Sequence, residues 1–187
     1  MKKTLLMSAA VVAMAGLAWA WQEGKKEQEA PKASKEHEVL KQMEGNWDFV
    51  MKTAAMGPEH PAAEFKGTET CSPVGSFWMV FDLKTPDMGG VPWHGHGSIG
   101  YDAAKKKYVG HFINSMSPEA MTGEGTMDAA GKVMTMTWSG HDHEGKPSTM
   151  REVFEHKDKD HAKMTMSGPG PDGKDMEYFS IEYTRKK

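Results

Sequence analysis

Cysteine is almost absent from this 187-residue chain, which holds only Cys71. No internal disulfide can form, so stability has to come from packing. An excess of positive charge is missing too: 23 Lys and Arg are interspersed among 26 Asp and Glu, without a basic stripe. That excludes the electrostatic footprint of a nucleic-acid binder. The short motifs of common catalysts are lacking, with no G-x-S-x-G, H-E-x-x-H, G-x-G-x-x-G or P-loop pattern. Nothing in the pattern points to an enzyme, and no cofactor is required by it. After the first twenty residues no apolar run approaches the ~20 residues of a membrane helix, so no membrane span is expected. Beyond Gly45 no stretch has good helical periodicity either.

What is there begins with an address. Lys2 and Lys3 precede an apolar run from Leu5 to Leu17 broken by Ser8, and Ala18-Trp19-Ala20 is a small-x-small cleavage site. Residues 1–20 read as a signal peptide, which places the protein in the periplasm or outside the cell. No Cys follows the run, so it is not a lipid anchor. Residues 21–36 are rich in Glu, Lys and Gln and read as a disordered polar tether. The remaining 37–187 suit one domain.

Val39, Leu40 and Met43 recur at helical spacing, predicting a short helix over 37–44 that Gly45 ends. About ten strands follow, over 46–54, 63–71, 76–84, 93–101, 107–115, 120–127, 132–140, 148–156, 161–167 and 176–185. Their punctuation is a cadence of Asp-led turns at Asp102, Asp128, Asp142, Asp158 and Asp172, residues that favour tight reversals. Trp47, Phe49 and Met51 share one strand face, as do Phe77, Met79, Phe81 and Leu83. Met134, Met136 and Trp138 alternate with Thr135 and Thr137, and Phe179, Ile181 and Tyr183 form a last apolar row. Half-buried strands joined by short turns predict an all-β, antiparallel up-and-down barrel, with a sandwich as the alternative.

Helix followed by Gly45-Asn46-Trp47 resembles the G-x-W entry of lipocalin-like (calycin) barrels. The resemblance implies that a basic residue of the last strand, here Arg185, covers the Trp. A wider likeness takes in Ile99-Gly100-Tyr101-Asp102, Lys107-Tyr108-Val109, Asn114-Ser115 and Gly125-Thr126-Met127-Asp128. It continues through Arg151-Glu152-Val153, Pro171-Asp172-Gly173 and Ile181-Glu182-Tyr183-Thr184-Arg185. Over about 37–187 the chain resembles the bacterial domain-of-unknown-function family 1579. That resemblance implies the barrel and no activity, and the pair His94 and His96 is not part of its pattern.

Candidate chemistry sits between the turns. Methionine is abundant, at 17 residues, and Met134-Thr135-Met136 and Met164-Thr165-Met166 offer paired thioethers for copper. On an apolar strand face the same residues serve as adaptable core or pocket lining. His94 and His96 share one face of a strand, a two-ligand unit for zinc or copper, or stand on the solvent side. Haem through one axial His is a further alternative, with His111 and His156 the mid-strand candidates. His141, His143 and His161 belong to turns.

Glu69 falls on the face of Phe65 and Cys71, and Glu152 on that of Met150 and Phe154, as interior polar anchors or as a sign of a misplaced face. Cys71 itself reads as a small buried hydrophobe. The Gly-rich connection Met88–Pro92 is a plain linker or a portal, and Trp78 and Val80 lie off the main apolar face. The expected function is non-catalytic binding of a small apolar molecule, lined by Phe49, Met79, Phe81, Met134, Met136, Trp138, Met164, Met166 and Phe179. Metal or haem binding through His and Met, and an uncharacterised enzyme, are the alternatives.

Overall fold

The computed structural model describes residues 31–187 except 59, 142–144 and 171–172. The segment read as a signal peptide, 1–20, and most of the stretch read as a tether lie outside these residues. Among the described residues one helix, α1 (Lys35–Leu40), runs into a 3-10 turn at Lys41–Met43 and is followed by strands alone. They are β1 (Gly45–Thr53), β2 (Ala63–Val74), β3 (Trp78–Thr85), β4 (Trp93–Asp102) and β5 (Lys107–Asn114). Then come β6 (Met121–Met127), β7 (Val133–His141), β8 (Pro147–His156), β9 (His161–Pro169) and β10 (Asp175–Arg185). Every strand pairs antiparallel with its neighbours in sequence, and β1 pairs with β10, closing a ten-strand barrel. Closure removes the unpaired edge a sandwich would leave. Among the described residues no helix is long and apolar enough to cross a membrane.

The Asp-led turns set the strand ends through their carboxylates. Asp128 Oδ1 accepts the backbone N–H groups of Lys132 at 2.8 Å and Val133 at 3.1 Å. Asp102 Oδ1 does the same for Ala104 and Lys105, and Asp158 Oδ1 for Asp160 and His161. These bonds hold all three carboxylates in acceptor roles that a turn backbone leaves unfilled. The turns at Asp142 and Asp172 begin on residues outside the described set.

Alternation carries the apolar rows inward across the closing seam, where Phe49 pairs with Tyr183 and Met51 with Ile181. Rings fit because glycines face them. A Cβ on Gly97 would lie 2.4 Å from Phe81 and 2.7 Å from the His111 carbonyl. The Trp138 ring lies over Gly110 and Gly123 in the same way. On the outside, Trp78 covers Gly100 and stays 39% exposed.

The helix starts two residues earlier than its spacing predicts, inside the stretch read as tether. Ser34 and His37 form a reciprocal cap, with Ser34 N donating to His37 Nδ1 at 3.1 Å. This helical segment plugs one end of the barrel. Tyr108 donates its hydroxyl to Glu36 O at 3.0 Å, and the Trp47 indole N–H donates to Met43 O at 2.9 Å. Arg185 lies 4.0 Å over the Trp47 ring and donates to the carbonyls of Glu44, Gln42 and Lys159. The last strand thus clamps the plug to the first, as the lipocalin-like resemblance implies.

Candidate functional site

At the end opposite the plug, the interior is not filled. A cavity of about 380 Å³ reaches from Met43 on the plug to Thr53, Trp93, Asn114, Met121 and Met150 at the far strand ends. Its size falls in the usual range of small-molecule pockets. The Gly-rich connection contributes Met88, held by Met88 N donating to Val91 O at 2.7 Å. That connection therefore borders the mouth.

Nine side chains are expected to line an interior site, and all nine point into the barrel. Phe81, Trp138, Met164, Met166 and Phe179 line the cavity. Phe49, Met79, Met134 and Met136 do not: each is at most 2% exposed and packed into the filled part of the interior. Met136 packs against Gly125, and Phe49 against Gly67 and Tyr183. Alternation decides whether a side chain faces inward, but not how far from the plug it stands.

The histidines stand elsewhere. His94 and His96 point outward and are exposed, and His96 Nδ1 lies 2.7 Å from Asp82. Gly95, between them, and Gly97, after them, occupy the inward positions. Among the described residues no group of three or more His, Cys, Asp or Glu is arranged to hold a metal ion. His111 faces outward. His156 is buried at the plugged end, its ring 4.9 Å from that of Phe154 and outside the cavity lining. Burial, with the Arg185 charge, holds its pKa below the ordinary value and favours the neutral ring. His141 and His161 are exposed and paired with Glu119 and Asp158.

Two carboxyl groups project into the otherwise apolar cavity, Glu69 from β2 and Glu152 from β8. Glu69 is 9% exposed. Its Oε1 accepts from the Cys71 thiol at 3.1 Å, while Oε2 is enclosed without a well-formed hydrogen bond among the described residues, the Tyr183 hydroxyl lying close to the carboxyl. Burial pushes its pKa up, partly offset by the Cys71 thiol and the Tyr183 hydroxyl. Glu152 Oε2 accepts from the Trp138 indole N–H at 2.8 Å. Its open surface faces the cavity, and burial pushes its pKa up to about 7, with the Trp138 bond opposing and the Glu69 charge reinforcing the rise.

Tyr183 and Cys71 are pushed up in turn by burial and by these carboxyls, so both stay protonated. Cys71 is a buried hydrogen-bond donor, not a reactive thiol. Among the cavity-lining residues there is no Lys, Arg or His. The strand faces place both carboxyls inside; what alternation does not tell is that they share one cavity with Tyr183 and Trp138.

The arrangement is an apolar chamber with an acidic group on its plug side. It can enclose an apolar body and accept hydrogen bonds from, or exchange protons with, a polar end.

Residues 32–185 match the family described as "Protein of unknown function (DUF1579)". No curated protein sequence matches the chain. Among solved structures, the chain is similar to Rv2717c from M. tuberculosis, at 12% identity and a TM-score of 0.64, covering 83% of this chain and 100% of that one. It is also similar to the S-type phycobiliprotein lyase CPES from Guillardia theta, at 13% identity and a TM-score of 0.54, covering 84% and 99%. Such identities speak to the fold alone.

Proposed function

The chain belongs to the DUF1579 family of proteins of unknown function, and from that premise we propose that it binds a small, largely apolar molecule inside its barrel. One observation carries the reading: an interior cavity of about 380 Å³ walled by Met and aromatic side chains. Met gives such a wall adaptability, and aromatic rings give it apolar area. The leader-like pattern of residues 1–20 supports the reading that this binding takes place in the periplasm or outside the cell.

The test is titration with N-phenyl-1-naphthylamine, a dye whose emission rises in apolar surroundings. Wild-type protein is expected to enhance the dye's emission saturably and to quench Trp93 and Trp138, both on the cavity wall. Met150→Trp, which thickens the wall at the mouth, is expected to weaken the dye at least tenfold. Equal binding by wild type and the variant, or none by wild type, would refute the interior site. Expression of the full chain in a Gram-negative host, with the mass of the mature protein, tests the leader. A mature protein that keeps Lys2 and Lys3 refutes export by cleavage.

A further inference from the structure

Buried carboxyls in an apolar chamber are expensive unless something pairs with them. Glu152 has the Trp138 indole and Glu69 the Cys71 thiol as hydrogen-bond partners, and both acidic side chains line the cavity, Glu69 being only 9% exposed. The lining offers no cation to neutralise either group. The cavity is therefore short of positive charge at one place on its wall.

We propose that the molecule held in the barrel is a hydrophobic amine: its cationic nitrogen donates to Glu69 and Glu152, and its apolar body lies along Phe81, Phe112, Met164 and Phe179. This rests on the interior-binding reading above and adds the chemical class. An apolar carboxylate of the same shape would meet two carboxyls and no cation. A plain hydrocarbon would fill the chamber but leave both carboxyls without a counter-charge. Only a positively charged end answers that deficit.

Binding also moves a proton. The ammonium arrives carrying its own, so a protonated carboxyl facing it releases H⁺ to solvent as the ion pair forms. The groups facing this step are Glu69 and Cys71 on β2, Tyr183 on β10, and His156 farther along β8 with Arg185 beside it. Glu152 titrates near 7, so the amine is expected to bind more tightly as pH rises from 6 to 8.

Three matched probes decide the matter: 2-naphthylmethylamine, 2-ethylnaphthalene and 2-naphthylacetic acid, titrated at pH 7.5 by calorimetry and tryptophan quenching. The amine is expected to bind at least tenfold more tightly than the hydrocarbon, with the acid weakest. Its heat should vary between buffers of different ionisation enthalpy, showing proton release. In the Glu69→Gln/Glu152→Gln variant the amine preference should fall to within twofold. Equal affinity for amine and hydrocarbon in wild type overturns the amine assignment while leaving interior binding intact. Failure of all three to bind overturns both. A preference that persists in the double variant overturns the assignment to the carboxyls. Should that variant not fold, Glu69→Gln alone, with proton release in wild type, gives the same decision.

Discussion

Replacing Glu152 by Gln should make the protein more stable at neutral and alkaline pH while leaving its stability in mild acid nearly unchanged. Gln keeps an oxygen for the Trp138 indole but cannot ionise. In the native barrel Glu152 holds its proton up to about pH 7, against 4.5 for the same group in an unfolded chain. Below pH 4.5 the carboxyl is protonated in both states, and native stability is at its fullest. Between 4.5 and 7 the unfolded chain releases the proton first, so stability falls with rising pH. Above 7 both states are ionised and the loss is complete. At about 1.36 kcal/mol per pH unit, the interval corresponds to about 3 kcal/mol.

Urea unfolding of wild type and variant at pH 4.5 and pH 8.5 measures it. A variant gain of about 2–3 kcal/mol at pH 8.5, shrinking toward zero at pH 4.5, is expected from this linkage. The neighbouring Glu69 shifts in the same direction and His156 in the opposite one. Both are present in each protein, so the comparison isolates Glu152 and its coupling to Glu69. An unchanged difference at the two pH values, or a variant less stable at pH 8.5, would refute the claim that an ion is being held in an apolar interior.

Gly97→Ala should destabilise the barrel by roughly 1–3 kcal/mol, because the new methyl overlaps Phe81 and the His111 backbone, and overpacking carries that cost. Thermal unfolding reads it; an unchanged Tm would show that Phe81 can move aside. Arg185→Ala removes a cation over Trp47 and three donated hydrogen bonds, two of which tie the plug to the barrel and one the last strand to the turn at Lys159. A loss of about 2–4 kcal/mol is expected, since bonds from a charged group are each worth about 1.5–3 before relaxation. Arg185→Lys should recover less than half, because an ammonium cannot span the separated carbonyls of Gln42, Glu44 and Lys159. Full recovery with Lys would mean that charge alone matters there.

Much of the architecture is legible in the sequence for a specific reason. Asp102, Asp128 and Asp158 use their carboxylates within a few residues, so the turns they make depend on local chemistry alone. Strand limits follow to within a few residues. The inward faces of β1, β3, β7 and β10 are equally plain, because each carries a row of large apolar residues at every second position, such as Met79, Phe81 and Leu83 in β3. The orientation of β4 is not. Its inward positions are Gly95 and Gly97, which carry no hydrophobic signal, so His94 and His96 cannot be assigned a face until Phe81 and Phe112 are seen filling the space beside those glycines. The cavity is hidden for a related reason. Met134 and Met164 look alike in the pattern and both pair with Phe154, yet one is packed tight and the other borders open volume, a difference of local packing that alternation does not record. Glu69 and Glu152, 83 positions apart in the chain, become partners only when four strand pairings bring β2 and β8 around one chamber.

The plug of α1 and its 3-10 turn turns a tube into a cup. Under the proposed interior binding, entry and exit are left to the end bordered by Met88, Trp93, Asn114 and Met150. A guest seated with its polar head beside Glu69 has its tail at the rim, and the rim then gauges length: a short guest is swallowed, a long one protrudes. Control over exchange therefore belongs to whatever touches the rim, whereas changes at the clamped end alter only how firmly the cup is made.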